Sequence, residues 1–158
     1  MCNEKVLGPF EENESEESKD YRKKRAALLE ATKQVENATK EALGIIAEFL
    51  VGNFKISAEA KNTAELITTL RYTKAVFTDC DELIITFNRG KMLGRVTTTF
   101  SNKNDNIEKV INEIKALRGF INSKITKAGM LGNNLKIKLI MNKALKNLEE
   151  AVTDFSEL

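Results

Sequence analysis

The chain has 158 residues, which is enough for one domain with a substantial core, and its 25 basic and 23 acidic residues nearly balance. It contains no His and no Trp, so the commonest general base and the commonest metal ligand are both missing. These absences disfavour an enzyme or a metalloprotein. We therefore predict no catalytic residue, no metal site and no cofactor.

The first eighteen residues are rich in Glu, Ser and Asn and poor in apolar residues. Because such a segment buries too little surface to offset its ordering entropy, we predict a disordered acidic tether over 1–18 and a single helical domain over 19–158. Cys2 stands near the start of this tether. Cys in this position is typical of a bacterial lipoprotein after leader cleavage, which makes Cys2 a predicted lipidation site. The alternative is an incidental Cys behind a native start Met.

The first helix is predicted from Ser18 or Asp20 to Gly52-Asn53, since an apolar stripe repeats at alternating spacings of three and four residues. The stripe residues are Leu28, Ala31, Val35, Ala38, Ala42, Ile45 and Phe49.

A second helix is predicted after Ser57, with its own stripe at Leu66, Leu70, Phe77, Cys80, Ile84 and Phe87. Residues 83–100 are also rich in β-branched and aromatic residues, so a hairpin around Arg89-Gly90 is the rival interpretation. We prefer helix because the upstream stripe continues to Phe87. Cys80 is then expected to be a buried thiol, and an intramolecular disulfide is disfavoured.

The second half of the chain predicts two more helices. A polar turn at 101–105 precedes the third, and a Gly/Asn-rich break at 128–134 separates it from the fourth. Their stripes are Ile107, Ile111, Ile114, Leu117, Ile121 and Ile125, and then Ile137, Met141, Leu145, Leu148, Val152 and Phe155. The predicted fold class is all-α: an antiparallel bundle of about four helices, either compact or elongated.

Three clusters of charged residues have both a functional interpretation and an interpretation as ordinary protein surface. Asp79, Asp81 and Glu82 are interpreted as a solvated helical face rather than a metal site, because the loop spacing of a calcium site is missing. The basic run 19–25 is interpreted as a solvated first turn. Lysines around 124–146 are either a surface for a polyanion or a host domain, or ordinary surface residues. Few aromatic residues accompany them, so we expect no nucleic-acid partner.

With Cys2-Asn3-Glu4 at its start, an acidic tether, and Lys/Asn/Ile-rich helices, the chain resembles small surface lipoproteins of Borrelia spirochaetes. It is most similar in style to the helical proteins of relapsing-fever species that bind the complement regulator factor H. The resemblance implies an outer-membrane location through the lipid anchor alone. It also implies a host serum protein as partner, with factor H first and plasminogen second, and a role in evading complement.

If the chain binds a host protein, the polar connections at 88–95, 101–106 and 128–134 are the candidate contact regions, because binding residues concentrate in loops. The candidate ligand-binding residues are Asn88, Arg89, Lys91, Lys103, Asn104, Lys127, Asn133 and Asn134. The alternative function is a cytoplasmic, phage- or plasmid-encoded helical interaction module that oligomerises through its heptad stripes. A homo-oligomer is compatible with either function.

Overall fold

The computed structural model describes residues 15–52, 58–88, 95–101, 107–128 and 132–157. Four helices and a three-stranded antiparallel sheet are formed within these ranges. In chain order they are α1 (Glu16–Gly52), α2 (Ala58–Tyr72), β1 (Lys74–Phe77), β2 (Glu82–Asn88), β3 (Arg95–Ser101), α3 (Ile107–Lys127) and α4 (Asn133–Ser156). The prediction of a four-helix, mostly helical fold is confirmed.

The helices pack antiparallel, as side-chain hydrogen bonds between them show. Gln34 of α1 accepts a bond from Asn147 of α4 at 3.1 Å, while Tyr21 near the start of α1 contacts Phe155 near the end of α4. Arg118 of α3 pairs with Glu149 of α4 at 2.9 Å. The core lies between these helices and includes every predicted stripe residue of α4. On α1 the buried isoleucine is Ile46, whereas Ile45 is half-buried.

Helix α1 begins at Glu16, two residues before Ser18, the earlier of its two predicted starts. Ser15 explains the difference, because its Oγ accepts a hydrogen bond from the Ser18 backbone N–H at 3.1 Å and thereby caps the helix. Glu16 and Glu17 then occupy the first turn, where negative charge is favourable. The rest of the predicted tether, residues 1–14, lies outside the described residues.

The preferred helical interpretation of residues 83–100 is wrong, and the rival hairpin is correct. Strand β2 lies between β1 and β3, pairing Phe77 with Leu83 and Leu83 with Phe100. Along β2, burial alternates: Leu83, Ile85 and Phe87 face the core, and the residues between them are half-exposed. Burial that alternates every two residues is the pattern of a strand. The helical stripe that was extended to Phe87 is therefore not formed beyond α2.

We expect Leu148→Ala to lower the free energy of unfolding by about 2–5 kcal/mol, because Leu148 is fully buried and the substitution leaves a cavity. The matched control is Leu139→Ala on the same helix, where the side chain is 62% exposed and the expected change is within about 0.5 kcal/mol. Chemical denaturation monitored by circular dichroism measures both. Equal losses in the two variants would contradict the assignment of the α4 core face.

Candidate functional site

The most concentrated polar cluster joins the turn between β1 and β2 to helix α1. Asp81 has a left-handed backbone conformation (φ 60°) and is only 8% exposed. Its carboxylate accepts hydrogen bonds from the Tyr21 hydroxyl and, at 2.8 Å, from Arg25 Nε. The Arg25 Nη2 group also donates to the Thr78 carbonyl at 3.2 Å. We call these three side chains, Tyr21, Arg25 and Asp81, the α1–turn cluster.

Aromatic rings surround this cluster and limit its contact with water. The Arg25 guanidinium lies 5.2 Å from the centre of the Phe77 ring, and Phe77 meets Phe155 edge-on at 5.4 Å. Burial, followed by the hydrogen bond to Asp81, raises the pKa of Tyr21 to about 12. The buried, neutral hydroxyl is a donor to a carboxylate, so the arrangement stabilises the fold and offers no activated nucleophile.

The α1–turn cluster corrects four predictions. Asp81 is buried in a strand-connecting turn and does not lie on a solvated helical face. Arg25 binds that turn rather than solvent, although Lys24 pairs locally with Asp20 at 3.3 Å, as expected of an exposed helical turn. Cys80 is exposed and disulfide-bonded, so both the buried thiol that the helical interpretation required and the expectation against a disulfide are wrong. Cys2 lies outside the described residues.

Four of the eight candidate ligand-binding residues lie within the described ranges. Asn88 is the last residue of β2, Lys127 the last of α3, and Asn133 the first of α4. Asn134 has a structural role, because its Nδ2 donates to the Ile125 carbonyl at 3.0 Å and to the Ala128 carbonyl at 2.7 Å. It thereby satisfies carbonyls at the end of α3 and is not reserved for a ligand. The other four, Arg89, Lys91, Lys103 and Asn104, lie outside the described residues.

The start of α2, the end of α3 and the end of β2 meet at one end of the molecule. Asn62 of α2 donates to the Lys127 carbonyl at 3.1 Å, and Lys124 Nζ contacts Glu65 Oε2 at 2.7 Å. Between them is a cleft of about 310 Å³ lined by Lys61, Glu65, Thr68, Asn88, Phe120 and Lys124, together with Ala64 and Thr69. We call this region, with the exposed Lys127 beside it, the basic end.

The basic end combines an apolar surface with three lysines, one of which is held in an ion pair. The half-buried Phe120 ring lies 5.5 Å from Lys124 Nζ, and this ammonium is held in place by Glu65. Lys61 and Lys127 are exposed. Lys124 and Lys127 also occupy the last turn of α3, where positive charge is favourable beside the helix carbonyls. Such a surface suits an acidic protein partner that also brings an apolar group.

The three predicted contact regions do not converge on one surface. Asn88 pairs with Arg95 at one end of the β2–β3 ladder, whereas Glu82 pairs with Ser101 at the other. The connection after Asn88 therefore leaves the sheet near the basic end, and the connection after Ser101 leaves it near the α1–turn cluster. Sequence reasoning missed Lys61, Glu65 and Phe120, because they meet only where α2 packs against α3. The Glu65–Lys124 pair, for example, joins residues 59 positions apart along the chain.

The start of α1 and the basic end lie at opposite ends of the bundle. Tyr21 contacts Phe155 at the end of α4, while Asn134 at the start of α4 is bonded to the end of α3. Helix α4 has 24 residues, a length of about 36 Å. Any group attached before Glu16 therefore starts far from the basic end.

Within the ranges that the structure describes, no three His, Cys, Asp or Glu residues are grouped to hold a metal ion. None of the described helices is long and apolar enough to cross a membrane. Comparison of the chain with known protein families, with characterised proteins and with solved structures gives no match.

The elevated pKa of Tyr21 gives a direct test of the α1–turn cluster. In a Tyr72→Phe background, Tyr21 is the only tyrosine, and ultraviolet absorbance should show it ionising near pH 12. Because the folded pKa lies above the unfolded value of 10, the native state binds more protons between pH 10 and 12. Its stabilising contribution is therefore complete below pH 10 and is lost as pH rises towards 12.

Asp81→Asn removes the carboxylate but keeps a residue type that tolerates the left-handed conformation. It should lower the pKa of Tyr21 in the same titration and reduce the free energy of unfolding by about 1–3 kcal/mol. Asp79→Asn, an exposed change in the same turn, is the control. A Tyr21 titration unaffected by Asp81→Asn would show that the hydrogen bond is not formed.

Proposed function

We propose that this chain is a non-catalytic binding protein, anchored at a bacterial outer surface through Cys2, that captures a host serum protein. Complement regulator factor H is the expected ligand and plasminogen the second. The observation that supports this proposal is the position of the basic end, which lies at the opposite end of the bundle from the start of α1. A lipid attached before α1 would leave this end directed away from the membrane.

The chemistry of the basic end supports protein binding better than catalysis. Lys61 and Lys127 are exposed and provide a positive field that accelerates encounter with an acidic surface. Lys124 is paired with Glu65, so its ammonium is held beside Phe120 and the unbalanced charge of this surface comes from the two exposed lysines. Phe120 adds apolar contact area beside these charges. The combination resembles the charged rim and aromatic centre of a protein interface.

A pull-down from serum with the immobilised 158-residue chain tests the ligand. We expect factor H to be retained, and Lys61→Glu with Lys127→Glu to reduce retention by about tenfold or more, because each change reverses an exposed charge. The control pair, Lys33→Glu with Lys115→Glu, reverses two exposed charges elsewhere, on α1 and α3. Retention of no serum protein by the unaltered chain would contradict the proposal, and equal losses in both pairs would contradict the assigned surface.

The second candidate function, a cytoplasmic oligomerising module, is favoured by one observation. Leu135 and Leu139 lie one turn apart on α4, and each is 62% exposed. Most of the predicted heptad stripes is consumed within the bundle, since residues such as Val35, Leu117 and Leu145 are fully buried. The partly buried stripe residues are Ile45, Phe49, Ile107 and Ile111. An oligomerising module would use these residues or the exposed leucines of α4. The codons upstream of Met1 separate the two functions, because only the lipoprotein requires an apolar leader there.

The anchor and the cysteine chemistry of the chain can be tested together. A diacylglyceryl thioether occupies the sulfur of Cys2, and the chain contains only one other cysteine, Cys80. The structure has Cys80 disulfide-bonded, and an anchored chain cannot form a disulfide between its own two cysteines. The lipid-anchored form must therefore differ from the structure at Cys80, which is then reduced or bonded to another molecule. In cells producing the complete precursor, we expect labelled fatty acid on the unaltered protein and on Cys80→Ala, but none on Cys2→Ala. Recovery of the membrane-bound protein with a Cys2–Cys80 disulfide would exclude the anchor.

A further inference from the structure

The outer edge of β3 is a strand edge without a neighbour among the described residues. The sheet order is β1-β2-β3, so among the described residues no strand lies on the outer side of β3. In an antiparallel pair, about half of a strand's N–H and C=O groups face the neighbouring strand, and the others point away from it. With the part of the chain that the structure describes, Thr97, Thr98 and Thr99 make no hydrogen bond outside the β2–β3 ladder. Their outward backbone groups therefore remain available for another strand.

Strand β3 itself carries few of the sequence features that protect an exposed edge. Proteins commonly guard such edges with lysine, proline or a β-bulge. Strand β3, Arg95-Val96-Thr97-Thr98-Thr99-Phe100-Ser101, contains no lysine or proline, and its register with β2 is continuous over all seven residues. Its one charged residue, Arg95, is at the first position. The central threonines are β-branched and favour extended structure.

We propose that β3 pairs with β3 of a second copy of this chain, antiparallel, about a two-fold axis at Thr98. In this register Thr98 lies opposite the partner's Thr98, and Thr97 lies opposite the partner's Thr99. The two sheets then form one six-stranded sheet, a common size. The pairing goes beyond the proposed function and does not depend on a surface location or a host ligand.

The sequence of β3 fits a second copy because it is self-complementary in this arrangement. Thr97 and Thr99 are exposed on the same face, and cross-strand threonine pairs are favourable. Arg95 pairs in register with the partner's Ser101, so the two Arg95 positions are six residues apart along the joined strands, about 20 Å. This distance exceeds the screening length of about 8 Å at physiological salt, so the charges do not oppose pairing. A two-fold dimer is also the commonest homo-oligomer.

Sedimentation velocity of the 158-residue chain, in reducing buffer to prevent disulfide-linked dimers, tests the pairing. We expect a concentration-dependent dimer. Thr97→Lys with Thr99→Lys should weaken it about tenfold, because each introduced ammonium faces one from the other copy. Thr97→Glu with Thr99→Glu should weaken it similarly, and mixing the two double variants should restore a dimer containing one of each. Circular dichroism verifies that each variant is folded.

Two controls separate the β3 edge from other surfaces. Ala27→Lys with Ala116→Lys adds the same charge at exposed helical positions and should leave the dimer unchanged. Leu139→Lys changes the exposed apolar surface of α4 and should also leave it unchanged. A chain that remains monomeric at high micromolar concentration overturns the proposal. A dimer that survives both threonine double variants, or one that only Leu139→Lys disrupts, overturns it as well.

Discussion

The arrangement of the sheet on the helices depends on the buried Asp81 carboxylate. It lies at the turn between β1 and β2 and accepts hydrogen bonds from both Tyr21 and Arg25 of α1. A carboxylate that is 8% exposed is costly unless such partners satisfy it. The turn is itself fixed, because Thr78 Oγ1 accepts from the Cys80 and Glu82 backbone N–H groups, each at 3.2 Å. One end of β2 is therefore tied to α1, and the other end, Asn88, is directed to the basic end.

The helices could be predicted from the sequence. For residues 83–100, however, the sequence alone did not show that a β-hairpin forms instead of a helix. Each helix buries one stripe, and the spacing of residues such as Ile114, Leu117 and Ile121 is visible locally. Residues 77–87 satisfy both a helical and an alternating pattern. The pairing of β2 with β3 and the capture of Asp81 by α1 decide between them. The strand pairing and the Asp81 contacts join parts of the chain that are not neighbours in sequence, so they cannot be predicted from a local periodic pattern.

In the candidate site, too, local sequence features could be predicted and contacts between distant residues could not. Turn chemistry directed attention to the polar residues that flank the α3–α4 connection. It could not show that Asn134 is occupied with the carbonyls of Ile125 and Ala128, while Asn133 beside it is not so bonded. Nor could it assemble the cleft, in which Lys61, Asn88 and Phe120 come from three different elements. Local sequence identifies polar connections, but only the packing of α2 against α3 shows which of them share a surface.

The proposed anchor and the proposed dimer constrain each other. Antiparallel pairing of β3 directs the two basic ends in opposite directions, because Asn88 and Arg95 mark the same end of each sheet. Two chains anchored in one membrane must then lie with their bundles along it, or one tether must span the bundle length, which the 37 residues of α1 set at about 55 Å. The fourteen residue steps from Cys2 to Glu16 reach at most about 50 Å when extended. That reach is shorter than α1, so the two proposals are compatible only when both bundles lie along the membrane. A dimer with two separated basic ends would then bind two ligand molecules rather than enclose one.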